Sequence, residues 1–420
     1  MISRILSLLL LVLLPVWNLL AQQNASSQLD KPYVILISLD GFRYDYVERF
    51  QPPNLMEFIQ NGVAAESMIP SYPTKTFPNH YTIATGMTPE NHGLVANTFI
   101  DPERKDLYKI GKREAVEDGT WYSGMPLWVN AEKNGMLSAS YFFVGSEADV
   151  QGVRPSYYYR YKHTTPNIER VQQVLDWLNL PAEQRPHMIT LYFSTMDDIG
   201  HRVGPQADEE LRSALFELDE VLGTLFDGVK KTGLPVNTIL VSDHGMQGVP
   251  VEKMIPQEML ENEELYEIAH NGTFSLVYLK EGVRKRKVYR YLKKREAHFS
   301  VYKKQDFPYY TANQSNKRLG DLIVMTDFPY YFKGTRAIGF ARKNNGERGE
   351  HGFPPEHKTM HAIFYAQGPT LKQGLKIPSF QNIHVYPLIC NLLELPIPPG
   401  VDGKSNVLAP IIERKAESKR

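Results

Sequence analysis

Residues able to bind a metal ion follow three separate apolar segments of this chain. Asp40 follows the first segment, Asp197 and His201 follow a second, and Asp243 and His244 follow a third. The spacing of Asp197 and His201 would place both side chains on one turn of a helix, within reach of a single ion. Carboxylate and neutral imidazole donors without a thiolate are typical of a hydrolytic zinc site, ahead of manganese or iron. The three segment ends therefore indicate a metal-dependent hydrolytic centre.

Each of these residues also has an ordinary structural explanation. A single aspartate after a strand commonly caps a helix or forms a turn, and a lone histidine is commonly a structural group. Repetition at successive segment ends favours a functional site, because capping does not require the histidines. Two divalent ions held about 4 Å apart would form a clamp for in-line displacement at phosphorus.

A hydroxyl nucleophile for such a centre could come from the segment 73–80, which reads Pro-Thr-Lys-Thr-Phe-Pro-Asn-His. The segment is predicted to be a turn that leads into a helical pattern over 81–85. A hydroxyl at the beginning of a helix ordinarily caps it. Beside a pair of metal ions, the same hydroxyl could ionise and attack phosphorus, while the helix dipole favours the phosphate anion. The residues alone allow both interpretations.

The apolar segments that position these residues predict buried strands. The first, 33–38, is a continuous apolar run, which is typical of a strand buried on both faces of a parallel sheet. Similar runs recur at 138–144, 188–193, 238–242, 321–326 and 361–366. Pro52-Pro53-Asn54 is predicted to open a helix that stops at Gly62, and further helical patterns are found at 127–134, 168–178 and 208–231. This alternation predicts an α/β fold, a doubly wound and mainly parallel central sheet with helices on both faces, in which functional groups gather beyond the carboxyl ends of the strands.

The composition excludes several classes of protein. The 420 residues are 42% apolar and 22% charged, which is typical of a globular chain rather than a disordered one. The 47 basic and 47 acidic residues leave no net charge, which argues against a nucleic-acid duplex as partner. The single cysteine, Cys390, excludes an intramolecular disulfide framework and a thiolate cluster for a metal. A metal must therefore be bound through histidine and carboxylate side chains.

The two ends of the chain indicate an exported protein. Residues 1–21 combine a positive start, an apolar run and a small residue before a polar stretch, which predicts a signal peptide; an uncleaved anchor is the alternative. After its removal no stable membrane span is expected, and export without disulfides favours a bacterial periplasm. A polar linker at 22–31, one catalytic domain with insertions at 32–408 and a polar tail at 409–420 complete the predicted organisation. The oligomeric state is left open.

Five motifs occur in order between residues 33 and 408 and together identify a family resemblance. They are Leu39-Asp40-Gly41, the segment 73–81, the segment 197–205 with its Gly-His and Gly-Pro pairs, Ser242-Asp243-His244-Gly245-Met246, and Glu350-His351-Gly352. The set closely resembles the nucleotide pyrophosphatase/phosphodiesterase (NPP) family of the alkaline phosphatase superfamily. The resemblance implies an alkaline-phosphatase-like fold with two zinc ions as cofactors.

The resemblance also implies individual roles. Thr76 matches the covalent nucleophile, and Asn97 matches a side-chain donor to a phosphoryl oxygen, where the ordinary interpretation would be a turn amide. The residues that match the ligands of the first zinc ion are Asp40, Thr76, Asp243 and His244. Those that match the ligands of the second zinc ion are Asp197, His201 and His351. Spacing alone would not have selected His351 among 12 histidines.

The implied substrate is a nucleotide or another small phosphodiester. Phe77 and Tyr161 match the aromatic pair that stacks a nucleobase in nucleotide-cleaving members. The implied function is a secreted two-zinc phosphodiesterase and nucleotide pyrophosphatase that forms a phosphothreonine and releases nucleoside 5′-monophosphates. A choline-headgroup phosphodiesterase is the alternative on the same site, and a catalytically inactive secreted binding protein is a third possibility. Segment 142–146 departs from the family's Phe-Trp-Pro-Gly-Ser, which leaves the shape of that pocket wall open.

One further segment, 281–304, is densely basic with interleaved tyrosine and valine residues. The pattern predicts an amphipathic helix with a solvated cationic face. Contact with an anionic surface is the alternative interpretation.

Overall fold

The computed structural model describes residues 22–311, 313–343 and 348–413. The predicted signal peptide at 1–21 and the end of the predicted tail at 414–420 lie outside these residues. Among the helices in the described ranges, none has both the length and the apolar character that crossing a membrane requires.

The strands of the described residues are β1 (Tyr33–Leu39), β2 (Val63–Ala65), β3 (Met68–Ile69), β4 (Thr98–Asp101), β5 (Asp106–Lys109), β6 (Ser138–Tyr141), β7 (Tyr157–Tyr159), β8 (Met188–Phe193), β9 (Val236–Val241), β10 (Gln247–Val249), β11 (Met254–Pro256), β12 (Tyr266–His270), β13 (Phe274–Leu279), β14 (Phe299–Lys303), β15 (Leu322–Thr326), β16 (Tyr331–Lys333), β17 (Arg348–Glu350), β18 (Phe364–Gln367), β19 (Leu375–Ile377) and β20 (Phe380–Gln381).

The α-helices of the described residues are α1 (Tyr46–Phe50), α2 (Pro53–Gln60), α3 (Thr76–Thr85), α4 (Pro89–His92), α5 (Arg113–Glu117), α6 (Leu127–Lys133), α7 (Asn167–Leu178), α8 (Thr195–Val203), α9 (Asp208–Thr232), α10 (Lys285–Lys293), α11 (Thr335–Lys343), α12 (Val385–Leu392) and α13 (Ser405–Leu408).

An eight-stranded sheet in the order β19-β2-β18-β9-β1-β8-β6-β7 forms the centre of the molecule. Strand β1 pairs in parallel with β8 on one side and with β9 on the other. Strand β18, the predicted run at 361–366, joins the sheet antiparallel to β9. The expected fold class is confirmed, with this one strand reversed.

Helices cover both faces of the central sheet, and β1 shows why its sequence is apolar at every position. Val34 and Leu36 face a core that includes α3, α6 and α12. Ile35 and Ile37 face the opposite core, which includes α2, α7 and α9. Successive side chains of a strand point to opposite faces, so both sets are buried, and each such side chain contributes about 1.5–3 kcal/mol.

A second sheet lies outside the central one and corrects part of the predicted alternation. Strands β12, β13, β15 and β14 form an antiparallel sheet in that order. The apolar run at 321–326 forms β15 of this sheet, so its inclusion among the runs of the doubly wound sheet was wrong. An apolar run reports burial, but it does not report which sheet the strand joins.

The basic segment 281–304 forms a helix over only part of its length. Helix α10 buries Val288 and Leu292 against the antiparallel sheet and presents its cationic side chains outward. The remainder of the segment includes β14, whose apolar residues Phe299 and Val301 are buried in the same core. The expected amphipathic helix is therefore present but shorter than the basic segment.

The polar segments near both ends pack onto the body of the protein. Asn24 is buried, and its side-chain amide donates to the carbonyl oxygens of Ala182 and Arg185 at 2.9 and 2.8 Å. At the other end, Ile411 is buried and Ile412 bridges to Leu371. The linker and the tail were predicted from their polar composition. Composition does not reveal the contacts that such segments make with distant parts of the chain.

Candidate active site

The side chains predicted from the three segment ends converge at one edge of the central sheet. Asp40 follows β1 directly, and Asp243 and His244 follow β9. Helix α8, which carries Asp197 and His201, begins two residues after β8. Because β8, β1 and β9 are adjacent and parallel, their carboxyl ends lie side by side, and the residues that follow them meet there.

The first group of candidate ligands surrounds the imidazole of His244. Its Nε2 atom lies 2.9 Å from Asp243 Oδ2 and 3.6 Å from Asp40 Oδ1. The same nitrogen lies 3.4 Å from the hydroxyl oxygen of Thr76. The structure thus brings together the four residues that match the first zinc site.

The second group consists of Asp197, His201 and His351. The Nε2 atoms of His201 and His351 lie 3.4 and 3.9 Å from Asp197 Oδ1. His351 reaches the group through β17, which pairs with β10 and packs against α8. A Cβ at Gly349 would lie 2.2 Å from the carbonyl oxygen of Gly200, so only glycine permits this close approach of the two backbones.

All three imidazoles have the same orientation toward the centre of the cluster. The Nδ1 atoms of His201, His244 and His351 lie 2.7, 2.9 and 2.9 Å from backbone carbonyl oxygens. A carbonyl oxygen can only accept a hydrogen bond, so each Nδ1 carries the proton and each Nε2 presents a lone pair. Such bonds to the second ring nitrogen commonly orient histidine ligands of metal ions. Burial lowers the pKa of His351 well below its usual range, which keeps this ring neutral.

Three carboxylate oxygens of the cluster are buried without a hydrogen-bond partner, Asp40 Oδ1, Asp197 Oδ1 and Asp243 Oδ2. Burial raises the pKa of Asp40 well above its usual range, and the nearby Asp243 and Asp197 raise it further. The lone pair of His244 Nε2 also faces the Asp243 carboxylate. Buried acceptors that face one another are costly unless a cation lies among them. The donor set therefore fits divalent metal ions.

A glycine after Asp40 allows the two groups to approach each other. Gly41 has a φ angle of +65°, and a Cβ at this position would lie 2.8 Å from the Cα of Asp197. Both the left-handed backbone and the short distance exclude a side chain here. The Asp40-Gly41 pair thus supplies a candidate ligand, and Gly41 leaves the space that Asp197 occupies.

Thr76 is the first residue of α3, and Lys75 occupies the N-cap position with extended backbone. The capping interpretation of the hydroxyl is therefore wrong for Thr76, because the cap residue precedes the helix by definition. The Thr76 side chain is half-buried and lies among the first group of candidate ligands.

His80 is a buried residue of the site that sequence reasoning missed. Its Nδ1 donates to the carbonyl oxygen of Thr76 at 2.9 Å, and its Nε2 lies 2.8 Å from the hydroxyl of Ser38. Nδ1 also lies 3.4 Å from Asp243 Oδ2. Because both ring nitrogens have partners, His80 serves to hold the first turn of α3 against β1. Its position four residues after Thr76, on the same helix face, was the available signal.

Asn97 lies beside the first turn of α3. Its side-chain oxygen accepts the backbone N–H of Phe77 at 3.0 Å. This bond fixes the orientation of the amide, so that its NH₂ group is the part left for another partner. Asn97 lines a cavity together with His201 and His351.

Phe77 and Tyr161 line one pocket of about 390 Å³ that also contains Asp40 and Thr76. The ring of Phe142 lies 5.2 Å from that of Tyr161 in an edge-to-face arrangement and extends the aromatic wall. The two aromatic residues selected in the sequence therefore share a pocket that opens onto Thr76. This size and lining are typical of a small-molecule site.

The fold and this site define the class of protein: a mainly parallel α/β sheet whose adjacent strand ends carry groups of side chains that could hold metal ions. The sequence profile described as type I phosphodiesterase / nucleotide pyrophosphatase matches residues 34–354. The chain belongs to this family, which confirms the resemblance identified from the five motifs.

Characterised and uncharacterised relatives resemble the chain over most of its length. Ectonucleotide pyrophosphatase/phosphodiesterase family member 1 of Rattus norvegicus is 33% identical over 390 residues, which cover 88% of this chain and 41% of that protein. An uncharacterised pyrophosphatase/phosphodiesterase of Schizosaccharomyces pombe is 33% identical, covering 90% of this chain and 80% of that protein. The chain thus spans less than half of the rat protein and most of the yeast protein.

Solved structures resemble the chain in three dimensions as well. Murine ectonucleotide pyrophosphatase/phosphodiesterase 5 superposes with a TM-score of 0.83 at 27% identity, covering 91% of this chain and 100% of that chain. A further structure of the murine protein is an inactive threonine-to-alanine variant in complex with AMP, with the same TM-score of 0.83. The expected alkaline-phosphatase-like fold is confirmed by this similarity.

Proposed function

We propose that this chain is an exported two-zinc phosphodiesterase and nucleotide pyrophosphatase that releases nucleoside 5′-monophosphates through a phosphothreonine intermediate. The observation that carries the proposal is the position of the Thr76 hydroxyl, 3.4 Å from His244 Nε2 and at the mouth of the aromatic pocket. A hydroxyl in this position can reach a phosphorus atom whose nucleoside occupies the pocket. Family membership supports the same reaction class.

Two groups of side chains would hold the zinc ions. The first is Asp40, Thr76, Asp243 and His244, and the second is Asp197, His201 and His351. Bound zinc would supply Lewis-acid chemistry, lowering the pKa of a coordinated hydroxyl or water to about 7 in the best-known case. The carboxylate oxygens of Asp40, Asp197 and Asp243 that are buried without partners support this assignment, because divalent cations would satisfy them.

The chain's own residues account for the remaining steps. Thr76 Oγ attacks phosphorus in line, its proton passes to solvent, and the bond to the leaving oxygen breaks with the electron pair on that oxygen. The Asn97 amide and the backbone N–H of Thr76, which has no acceptor within its helix, would donate to the phosphoryl oxygens. Water then hydrolyses the phosphothreonine, which restores the hydroxyl and releases the nucleoside 5′-monophosphate.

The aromatic pair of the pocket beside Thr76 supports a nucleobase as its occupant. A quaternary ammonium requires aromatic faces together with an available carboxylate. Glu147, a carboxylate of this pocket, forms an ion pair with the guanidinium of Arg113. It also accepts a hydrogen bond from the backbone N–H of Tyr161 at 2.9 Å. The charge of Glu147 is therefore already paired.

Asp198, which also lines the pocket, accepts the hydroxyl of Ser194 at 2.8 Å and lies 3.7 Å from His163. Phe77 and Tyr161 are suited to stacking on a planar base, and the substrate comparison below separates a nucleobase from a choline headgroup.

Purified wild-type protein with bound metal, assayed on ATP and on glycerophosphocholine, tests the proposal. We expect rapid release of AMP from ATP and little release of choline or choline phosphate from the second substrate. The reverse preference would support the choline alternative. If the protein cleaves neither substrate, an inactive binding protein would be supported. Thr76→Ala should abolish turnover while metal content stays near the wild-type value, and Thr76→Ser should retain part of the activity. Substantial activity in Thr76→Ala would remove Thr76 from the role.

We also propose that the protein is exported to a bacterial periplasm and that 32–408 forms one catalytic domain. The basic and apolar start at 1–21 and the single cysteine support this location. Cell fractionation and the N-terminal sequence of the mature protein test it. A mature chain beginning near residue 22 in the periplasmic fraction is the expected result, and an intact Met1 in the membrane fraction would contradict it.

A further inference from the structure

A second cavity adjoins the candidate active site on the side of the second ligand group. Its volume is about 970 Å³, and its walls include His201, His351 and Asn97. The aromatic pocket instead contains Asp40, Thr76 and Asp197. The two cavities therefore both border the cluster of candidate ligands, and they have no lining residue in common.

The walls of the second cavity are strongly cationic. Among the described residues that line it, four are cationic, Lys75, Lys333, Arg336 and Arg348, and one, Glu350, carries a carboxylate. This imbalance is local, because the whole chain has no net charge. A concave surface of one sign concentrates ligands of the opposite sign.

The partners of these cations show which of them remain for a ligand. Lys333 is paired with Glu350 at 2.6 Å, and the Lys75 ammonium lies 3.4 Å from the hydroxyl of Tyr331. Arg348 donates one N–H to the carbonyl oxygen of Arg202 at 2.6 Å, and no carboxylate of the described residues forms an ion pair with it. Arg336, on α11, is exposed and pairs with no carboxylate among the described residues. Arg336 and Arg348 thus have guanidinium donors to offer.

We infer that this cavity binds the anionic leaving group of the substrate, such as the pyrophosphate of a nucleoside triphosphate. The inference rests on the proposed function. In-line displacement places the attacking Thr76 oxygen and the departing oxygen on opposite sides of phosphorus. With the nucleoside in the aromatic pocket, the departing group lies toward His201 and His351 and enters the cationic cavity. Guanidinium groups bind phosphate oxygens through paired hydrogen bonds.

The step balances without a further reactant. For ATP, the bond between Thr76 Oγ and the α-phosphorus forms while the bond from that phosphorus to the bridging oxygen breaks. The electron pair remains on the bridging oxygen, so the leaving group is pyrophosphate, and water then releases AMP from Thr76. Arg336 and Arg348 touch neither reacting bond, and their role is to position the departing phosphates and favour substrates that carry them.

A comparison of two substrates with similar nucleoside sides tests the inference. ATP leaves a polyanionic group, whereas the p-nitrophenyl ester of thymidine 5′-monophosphate leaves an aryl oxide. In Arg336→Gln we expect the ratio of kcat/KM for ATP to kcat/KM for the aryl ester to fall about tenfold, the usual order for one charged hydrogen bond. Arg348→Gln should add to this loss. Arg342→Gln, on the same helix but outside the cavity walls, is the matched control and should leave the ratio unchanged.

Inhibition by inorganic pyrophosphate gives a readout that does not depend on ATP turnover. With the aryl ester as substrate, its inhibition constant should rise about tenfold in Arg336→Gln. Equal effects on both substrates, or an unchanged ratio and inhibition constant, would overturn the inference and leave the proposed function intact. If wild-type protein cleaves neither substrate, the proposed function fails, and the inference fails with it.

Discussion

The imidazole rings of His244 and His351 stack with their centroids 3.6 Å apart and their planes 19° from parallel. His244 belongs to the first group of candidate ligands and His351 to the second. Both rings donate Nδ1–H to backbone carbonyl oxygens, so their Nε2 lone pairs point into the same cluster. The two groups of candidate ligands therefore pack against each other. A substitution in one group is expected to alter the geometry of the other.

Removal of metal should destabilise the protein, and Asp40→Asn should reverse part of this loss. Asp40 Oδ1 is buried without a partner near Asp243 and Asp197, so chelation leaves carboxylates to repel one another. We expect Asp40→Asn to stabilise the chelated protein by about 1–3 kcal/mol, the usual cost of one unsatisfied buried group. In the metal-loaded protein the same change should lower both metal affinity and Tm.

Thermal unfolding with and without chelator, together with metal analysis, measures these opposite effects of Asp40→Asn on the chelated and the metal-loaded protein. Asp30→Asn is the control, because Asp30 is exposed and lies before the amino end of β1 rather than beyond its carboxyl end. A wild-type Tm that does not respond to chelator would contradict the assignment of the cluster as a metal centre.

Asn97→Asp should separate a catalytic role from a structural one. The aspartate retains an oxygen that accepts the backbone N–H of Phe77, now 3.0 Å from Asn97 Oδ1, but it removes the NH₂ donor. We expect kcat to fall about 100-fold, as is usual for loss of one donor to a transition-state oxygen, with little change in Tm. Asn97→Ala should lower both kcat and Tm. Near-normal kcat in Asn97→Asp would mean that Asn97 is only a turn amide.

Tyr161→Leu should weaken nucleotide binding more than it affects the chemical step. Stacking on a base contributes about 1–3 kcal/mol, so KM for ATP should rise roughly 5- to 150-fold. Turnover of p-nitrophenyl methyl phosphate, which has no nucleobase, should change far less. Tyr158→Leu is the matched control from the same tyrosine cluster, since Tyr158 is 38% exposed and does not line the pocket. Equal effects of the two variants would contradict the stacking role.

His92 should make the folded state sensitive to acid. The ring is fully buried, its Nδ1 accepts the backbone N–H of Leu94, and its Nε2 lies 3.0 Å from the hydroxyl of Thr82. Burial lowers the pKa of His92 to about 3. Because the unfolded pKa is about 6.5, the unfolded state binds more protons between these values. The contribution of the neutral His92 ring to the free energy of unfolding should be fully present above about pH 6.5. The free energy of unfolding should fall by about 4 kcal/mol as the pH approaches 3.

Denaturant unfolding of wild type and His92→Gln between pH 8 and pH 4 measures this effect under identical metal conditions. The variant should be less stable at pH 8 but should lose less stability on acidification. His163→Gln is the control, because the His163 side chain is 58% exposed. Parallel pH profiles for wild type and His92→Gln would contradict the prediction.

The local sequence pattern was sufficient to predict the central strands and to select five of the candidate metal ligands. A strand buried on both faces needs apolar residues throughout, so β1, β8 and β9 are visible as continuous runs, and polar residues directly after them stand out. The rule that parallel strands gather functional groups at their carboxyl ends then brings Asp40, Asp197 and Asp243 together. His351 required the family resemblance, because it follows a short strand, β17, that has no apolar run.

Long-range packing determined the features that no local pattern contains. The reversal of β18 and the placement of β15 in a separate sheet depend on which strands each one meets, and an apolar run reports burial without direction. The role of His80 depends on Ser38, 42 positions away in sequence. The cationic cavity likewise forms only when α11 and β17 approach the second ligand group. Burial and periodicity are local properties of a sequence, whereas strand direction, hydrogen-bond partners and cavities arise from contacts between segments that are distant along the chain.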